Sequence, residues 1–181
     1  MQPLCRCRSH RGWLIMIRFL LIMLLIVISD QLTKLWIVEN FAVHDSLPVI
    51  PGFFNLVLVH NTGAAFGMLA DLPMLWRQLF FVGVAVVAVT GLAIMQRRLG
   101  GQHPLYAASF GLISGGALGN VIDRLKQGSV IDFLDFHIKD YHWPAFNVAD
   151  SGITVGVGLF LLLQYWEERA NKQQKKADSV F

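Results

Sequence analysis

Nine acidic, basic or amide side chains fall in short clusters along this 181-residue chain: Asp30 with Lys34, Asn120 with Asp123 and Arg124, Asp132 with Asp135, and Asn147 with Asp150. Two aspartates held close together cannot both ionise, so they share one proton. Such a pair can take a proton from water and donate one to a substrate carbonyl without any cofactor. Other hydrolytic chemistries lack their parts. Serine hydrolysis needs a Ser beside a His or Lys base, and no Ser lies in a nucleophile-like turn, although His60, His137 and His142 are available. A His-x-x-x-His zinc pair is missing. Cys5 and Cys7 are the only cysteines; two thiols cannot complete a zinc site, and they read as reduced cytosolic thiols. No apolar stretch precedes Cys5, so it is not a lipidation site. Neither metal nor cofactor is expected.

Each cluster also has an ordinary structural explanation. Asp30 and Lys34 are spaced for an ion pair within one helix. Asp123 and Arg124 could form a helix-end salt bridge. Asn147 could simply cap a helix, with Asp150 as a first-turn acid. Asp132 could face water from a strand. Their convergence on one plane is what makes chemistry the better explanation.

The elements that must deliver these groups are membrane helices. Apolar residues make up 55% of the chain and charged residues only 15%, against about 25% charged in ordinary soluble domains. A span needs about 20 mainly apolar residues. Four segments qualify, near Trp13–Val38, Trp76–Met95, Leu105–Ile122 and Val148–Trp166. The first continues through Asp30 and Lys34 with no small-residue cleavage site, unlike a removable leader. The expected architecture is a mainly α, four-transmembrane-helix bundle with a small extracytoplasmic β element. That element would comprise strand-like runs at Phe53–Val59 and Ser129–Phe136.

Basic residues cluster at Arg6, Arg8 and Arg11, at Arg97 and Arg98, and at Arg169, Lys172, Lys175 and Lys176. They sit at the ends of apolar runs, as membrane topology requires, rather than on a face with stacking aromatics, as nucleic acid would require. The positive-inside rule therefore puts both termini in the cytoplasm. Arg124, Lys126 and Lys139 in the second outer loop fit that rule less well. With Arg18 at the inner surface, Asp30 lies ~18 Å further along its helix. All four clusters then meet at the outer boundary. Gly111, Gly115 and Gly119, with Gly152 and Gly156, are spaced for close helix packing. One bundle can use all of them, so a monomer is expected.

Such an aspartate pair could draw on Asp123, Asp132, Asp135 or Asp150. Asp123 adjoins Arg124, whose charge would hold it ionised in a structural role. Asp135 lies three residues past Asp132, so on a strand it faces the other way.

The chain resembles the lipoprotein signal peptidases, or signal peptidase II. The resemblance is carried by Asp30-Gln31-Leu32-Thr33-Lys34, Asn61-Thr62-Gly63-Ala64-Ala65-Phe66-Gly67, Gly115 through Arg124, Val130-Ile131-Asp132-Phe133 and Phe146-Asn147-Val148-Ala149-Asp150-Ser151. These segments come in the family's order and span about Met16 to Trp166. The resemblance implies an aspartic endopeptidase of the bacterial inner membrane with Asp132 and Asp150 as the catalytic pair. It implies that Asn61, Gly63, Asn120, Asp123, Arg124, Asn147 and Ala149 line or support the site, and that Asp30 and Lys34 shape it. The substrate would be a diacylglyceryl-modified prolipoprotein, cut just before its lipidated cysteine and presented from membrane lipid. Globomycin-type cyclic peptides would occupy the groove. The strand-like first outer loop would clamp the peptide, with Asn61-Thr62-Gly63 presenting backbone groups to it.

Residues 1–15 find no counterpart and read as a basic extension, which makes Met16 a candidate start in place of Met1. Residues 16–167 would form the peptidase domain and 168–181 a basic tail. Two other classes are weighed against an enzyme. A proton-coupled transporter would need polar residues through the whole membrane, and the inner halves of the spans are nearly free of them. A non-catalytic scaffold would rest on the glycine faces alone.

Overall fold

The computed structural model describes residues 6–63, 73–100 and 103–178, with side chains from Gly12 to Lys175 within those ranges. Cys5 and the Ala64–Gly67 part of the family-like segment lie outside the described residues, as do the side chains of Arg6, Cys7, Arg8, Arg11 and Lys176. The elements run α1 (Arg6–Asn40), β1 (Ser46–Ile50), β2 (Phe54–Asn61), α2 (Met74–Leu99), α3 (Pro104–Gln127), β3 (Val130–Ile138), β4 (Tyr141–His142) and α4 (Val148–Asp178). Each helix contains a segment long and apolar enough to cross a membrane: Gly12–Asn40, Met74–Leu99, Pro104–Gln127 and Val148–Lys175. Large apolar side chains such as Leu21, Leu25, Val87 and Leu161 point outward, as lipid rather than water as solvent demands. The positions 15/16 and 167/168 fall inside continuous helices.

α3 is the central helix and packs on the other three. Its glycines explain why. A methyl at Gly111 would lie 2.9 Å from the Phe19 carbonyl of α1, and one at Gly115 would lie 2.7 Å from that of Met23. Gly116 turns toward α4, where a methyl would strike the Ala149 carbonyl. Ser109 donates to the Gly156 carbonyl across the same seam, at 2.9 Å. α3 starts at Pro104 after the capping His103 and stops at Gly128, whose φ of 76° is left-handed and whose N–H bonds back to the Arg124 carbonyl.

The four strands form an antiparallel meander in the order β1-β2-β3-β4. In the central pair, Asn61 lies opposite Val130, His60 opposite Ile131 and Val59 opposite Asp132. Ile37, Leu58, Ile131 and Phe133 form a buried cluster that seats the sheet on the end of α1. A second cluster, around Phe19, Tyr106, Phe110 and Leu163, fills the opposite end of the bundle.

Several elements and boundaries differ from the sequence expectations. β1 was not anticipated, because Pro48 argues against a central strand; it is an edge strand, where proline is tolerated. β2 begins one residue later than expected and runs on to Asn61. α3 runs one turn past Asp123, to its glycine cap.

Candidate active site

Asp132 sits on β3 and is only 3% exposed. Its Oδ1 accepts a hydrogen bond from Asn147 Nδ2 at 2.7 Å, and its Oδ2 accepts one from Asn61 Nδ2 at 3.0 Å. Asp150 stands in the first turn of α4. There Asn147 and Asp150 cap each other. The Asn147 Oδ1 accepts the Asp150 N–H at 3.0 Å, and the Asp150 Oδ2 accepts the Asn147 N–H at 3.3 Å. The remaining Asp150 oxygen accepts Asn120 Nδ2 at 2.7 Å. Asn147 Nδ2 also reaches Asn120 Oδ1 at 3.3 Å and the Ile131 carbonyl at 3.1 Å. Asn147 therefore does more than cap: one amide ties α3, β3 and α4 together between the two carboxylates.

Both carboxylates line a cavity of about 940 Å³, together with Asn61, Gly63, Asn120 and Arg124. Val130, Trp143, Phe146 and Ile153 supply apolar wall. Burial pushes the Asp132 carboxyl up to about 7, and the neighbouring Asp150 charge adds to the rise; the Asn61 and Asn147 hydrogen bonds and Lys34 oppose it. This is the behaviour of a carboxyl able to hold a proton at neutral pH.

A buried ionic cluster supports the cavity from α1. The Lys34 ammonium has three N–H bonds and meets three oxygens: Asp123 Oδ2 at 2.7 Å, Asp30 Oδ2 at 2.8 Å and Asn120 Oδ1 at 3.1 Å. Because Lys34 holds the Asn120 oxygen, the Asn120 nitrogen is turned toward Asp150. The other Asp30 oxygen accepts the Ala149 N–H at 2.9 Å, one residue before Asp150. Gly119 leaves room for this carboxylate: a methyl there would lie 2.6 Å from Asp30 Oδ2.

Asp123 does not pair with Arg124. Consecutive helical residues diverge by about 100°, so Asp123 turns inward to Lys34 while Arg124 turns toward the cavity. Arg124 Nη2 donates to the Gly63 carbonyl at 3.1 Å, and its guanidinium lies 4.1 Å above the Phe81 ring. The Gly63 N–H is also engaged, by Asn61 Oδ1 at 3.0 Å. Those backbone groups thus shape the loop instead of standing open to a ligand. Asp135 faces away from the cavity, accepting Asn55 Nδ2 at 2.9 Å and pairing with His142 Nδ1 at 2.8 Å.

All eleven residues anticipated from the sequence, Asp30, Lys34, Asn61, Gly63, Asn120, Asp123, Arg124, Asp132, Asn147, Ala149 and Asp150, thus meet in one connected constellation. Sequence reasoning missed Gln31, which bonds to Asp123 Oδ1 at 2.9 Å. Its position beside Asp30 and one turn from Lys34 was the available signal. It also missed the polar role of Gly119, which the helix-packing spacing concealed.

The family model described as signal peptidase (SPase) II matches residues 22–166. A lipoprotein signal peptidase of Syntrophotalea carbinolica is 51% identical over 146 residues, which cover 81% of this chain and 89% of that protein. One of Ralstonia nicotianae is 52% identical over 136 residues, covering 75% and 77% respectively. A bacterial membrane enzyme solved by the in meso method at 2.3 Å resolution superposes with a TM-score of 0.75 at 34% identity, covering 85% of this chain and 90% of that one. With the fold, the polar constellation and these relatives in agreement, the chain belongs to the signal peptidase II family.

Proposed function

We propose that this peptidase removes the signal peptide from prolipoproteins by aspartic chemistry, with Asp132 and Asp150 as the catalytic pair. The observation that carries the reading is their shared setting: two carboxylates line one cavity, bridged by Asn147, and burial favours a proton on Asp132. A water held between them loses a proton to the ionised carboxylate as its oxygen bonds to the scissile carbonyl carbon. The protonated carboxyl gives its proton to the carbonyl oxygen. The tetrahedral intermediate then collapses, the C–N bond breaks, and the departing nitrogen takes up a proton.

The preferred substrate carries diacylglycerol on the cysteine just after the cleaved bond. Lipid and signal helix hold that bond at the membrane surface, which replaces a three-dimensional search by local positioning. This reading puts the sheet end of the bundle at the periplasmic boundary of the inner membrane and both termini in the cytoplasm, in keeping with the basic tails. A globomycin-type cyclic peptide would compete for the same cavity. The enzyme would act as a monomer. Residues 16–167 would carry the peptidase, with 1–15 and 168–181 as basic extensions.

The test is cleavage of a diacylglyceryl-modified prolipoprotein by purified protein in detergent. Asp132→Asn and Asp150→Asn should each abolish cleavage, while Asp135→Asn retains it. Full activity in either of the first two variants would remove the pair from the mechanism.

A further inference from the structure

We propose that Gln31 is a positioning residue for the peptidase reaction, holding Asp132 in place through Asp123 and the backbone of Ile131. The proposal rests on the aspartic pair of the preceding section. Gln31 lies on the flank of α1 and is not among the residues that line the cavity. Its amide is clamped at both ends. The exposed Lys126 of α3 donates to Gln31 Oε1 at 3.0 Å. With the oxygen so held, Nε2 turns inward and donates to Asp123 Oδ1 at 2.9 Å, with the Gly119 carbonyl at 3.3 Å and Asp30 Oδ2 at 3.4 Å beside it.

The other oxygen of Asp123 is the link to the chemistry. It accepts the Ile131 N–H at 3.2 Å as well as the Lys34 ammonium. Ile131 immediately precedes Asp132, and its carbonyl accepts Asn147 Nδ2 at 3.1 Å. The residue leading into Asp132 is thus held on both sides, by Asp123 through its N–H and by Asn147 through its C=O. Rotation of the Asp123 carboxylate would release the first hold and let β3 shift against α4. Gln31 opposes that rotation, because it grips the oxygen that Lys34 and Ile131 leave free. Lys34 alone does not define the angle, since it contacts only one of the two oxygens.

The experiment compares Gln31→Leu, Gln31→Glu and wild type in full-length protein in detergent, with kcat and KM measured on a lipidated lipobox peptide from acidic to basic pH. Gln31→Leu should lower kcat by on the order of 10- to 100-fold, the penalty of a sub-ångström to ångström misplacement, with KM within about twofold of wild type because no substrate contact is lost. Gln31→Glu keeps the shape and the Lys126 contact but presents an anion to Asp123 at neutral pH. Its kcat should fall as far, then recover relative to wild type as the pH is lowered and the new carboxyl gains a proton to donate. That recovery is a readout a merely structural side chain would not give. Wild-type kcat in Gln31→Leu, a loss confined to KM, or a Gln31→Glu to wild-type ratio that does not change with pH would each overturn the inference. Asp132→Asn and Asp150→Asn run in parallel separate the two claims. If both remain active, the aspartic reading fails; if both are dead while the Gln31 variants behave as wild type, only the positioning role fails.

Discussion

Replacing Lys34 with methionine isolates the energetics of the buried cluster. The ammonium is 2% exposed, and its partners Asp30 and Asp123 are 0% and 3% exposed. Two buried carboxyl groups surround one ammonium, so a single cation offsets the burial of both. Lys34→Met removes the only cation among the described residues that bonds these two carboxyls and leaves them buried without a counter-charge, so that at least one must take up a proton. Breaking a buried pair from one side costs about 3–5 kcal/mol, a large share of the ~5–15 kcal/mol that holds a typical domain together. Asp30→Asn should cost less, because the Lys34–Asp123 pair at 2.7 Å survives it with balanced charge. The triple change Lys34→Met, Asp30→Asn, Asp123→Asn removes every charge and should recover most of the lost stability, since neutral replacements of buried ion clusters are often tolerated. It should not recover full cleavage, because the Asn120 oxygen has lost the Lys34 donor and keeps only the longer Asn147 contact at 3.3 Å, which loosens the hold of its nitrogen on Asp150. The assay is denaturant-induced unfolding in detergent micelles, read by near-ultraviolet circular dichroism, with cleavage measured on the same samples. A Lys34→Met loss below about 1 kcal/mol, the worth of an exposed pair, or a triple variant as unstable as the single, would refute the reasoning.

Further outcomes follow from the same geometry. The Asp132 carboxyl is raised to about 7, so the singly protonated pair persists to neutrality and kcat/KM should decline as the pH rises through that value. Between 3.8 and about 7 the folded chain holds this proton longer than the unfolded chain does, so the contribution of this group to stability falls with rising pH. Removing the Asn61 hydrogen bond with Asn61→Leu should move the basic limb upward, because that bond favours the ionised form; a pH profile unchanged or shifted downward would contradict the assignment. Gly119→Ala places a methyl 2.6 Å from Asp30 Oδ2 and should cost about 1–3 kcal/mol by overpacking, together with most of the activity. Gly158→Ala meets nothing within 4 Å and should leave melting temperature and turnover at or slightly above wild type.

The sequence revealed the site's composition more fully than its wiring. Four apolar runs of sufficient length disclosed the helices, because lipid tolerates few other spanning structures. Asn147 and Asp150 advertised a helix start by their spacing alone. The partner of Asp123 was hidden, because it depends on how α1 and α3 rotate against each other, and the glycine contacts at Gly111 and Gly115 set that angle. β1 was hidden for a different reason. Its five residues are all exposed and include Pro48, so neither alternation nor burial marks them. Gln31 gave only its proximity to Asp30, and its role emerged once Lys126 and Asp123 were brought to either end of its amide.

The two carboxylates come from β3 and from the first turn of α4, and the Asn120 amide that steers one of them belongs to α3. During biosynthesis these parts emerge late. A nascent chain that has threaded only its first two helices into the bilayer carries neither acid. With the catalytic pair proposed above, proteolytic power would therefore arise only when the last helix docks.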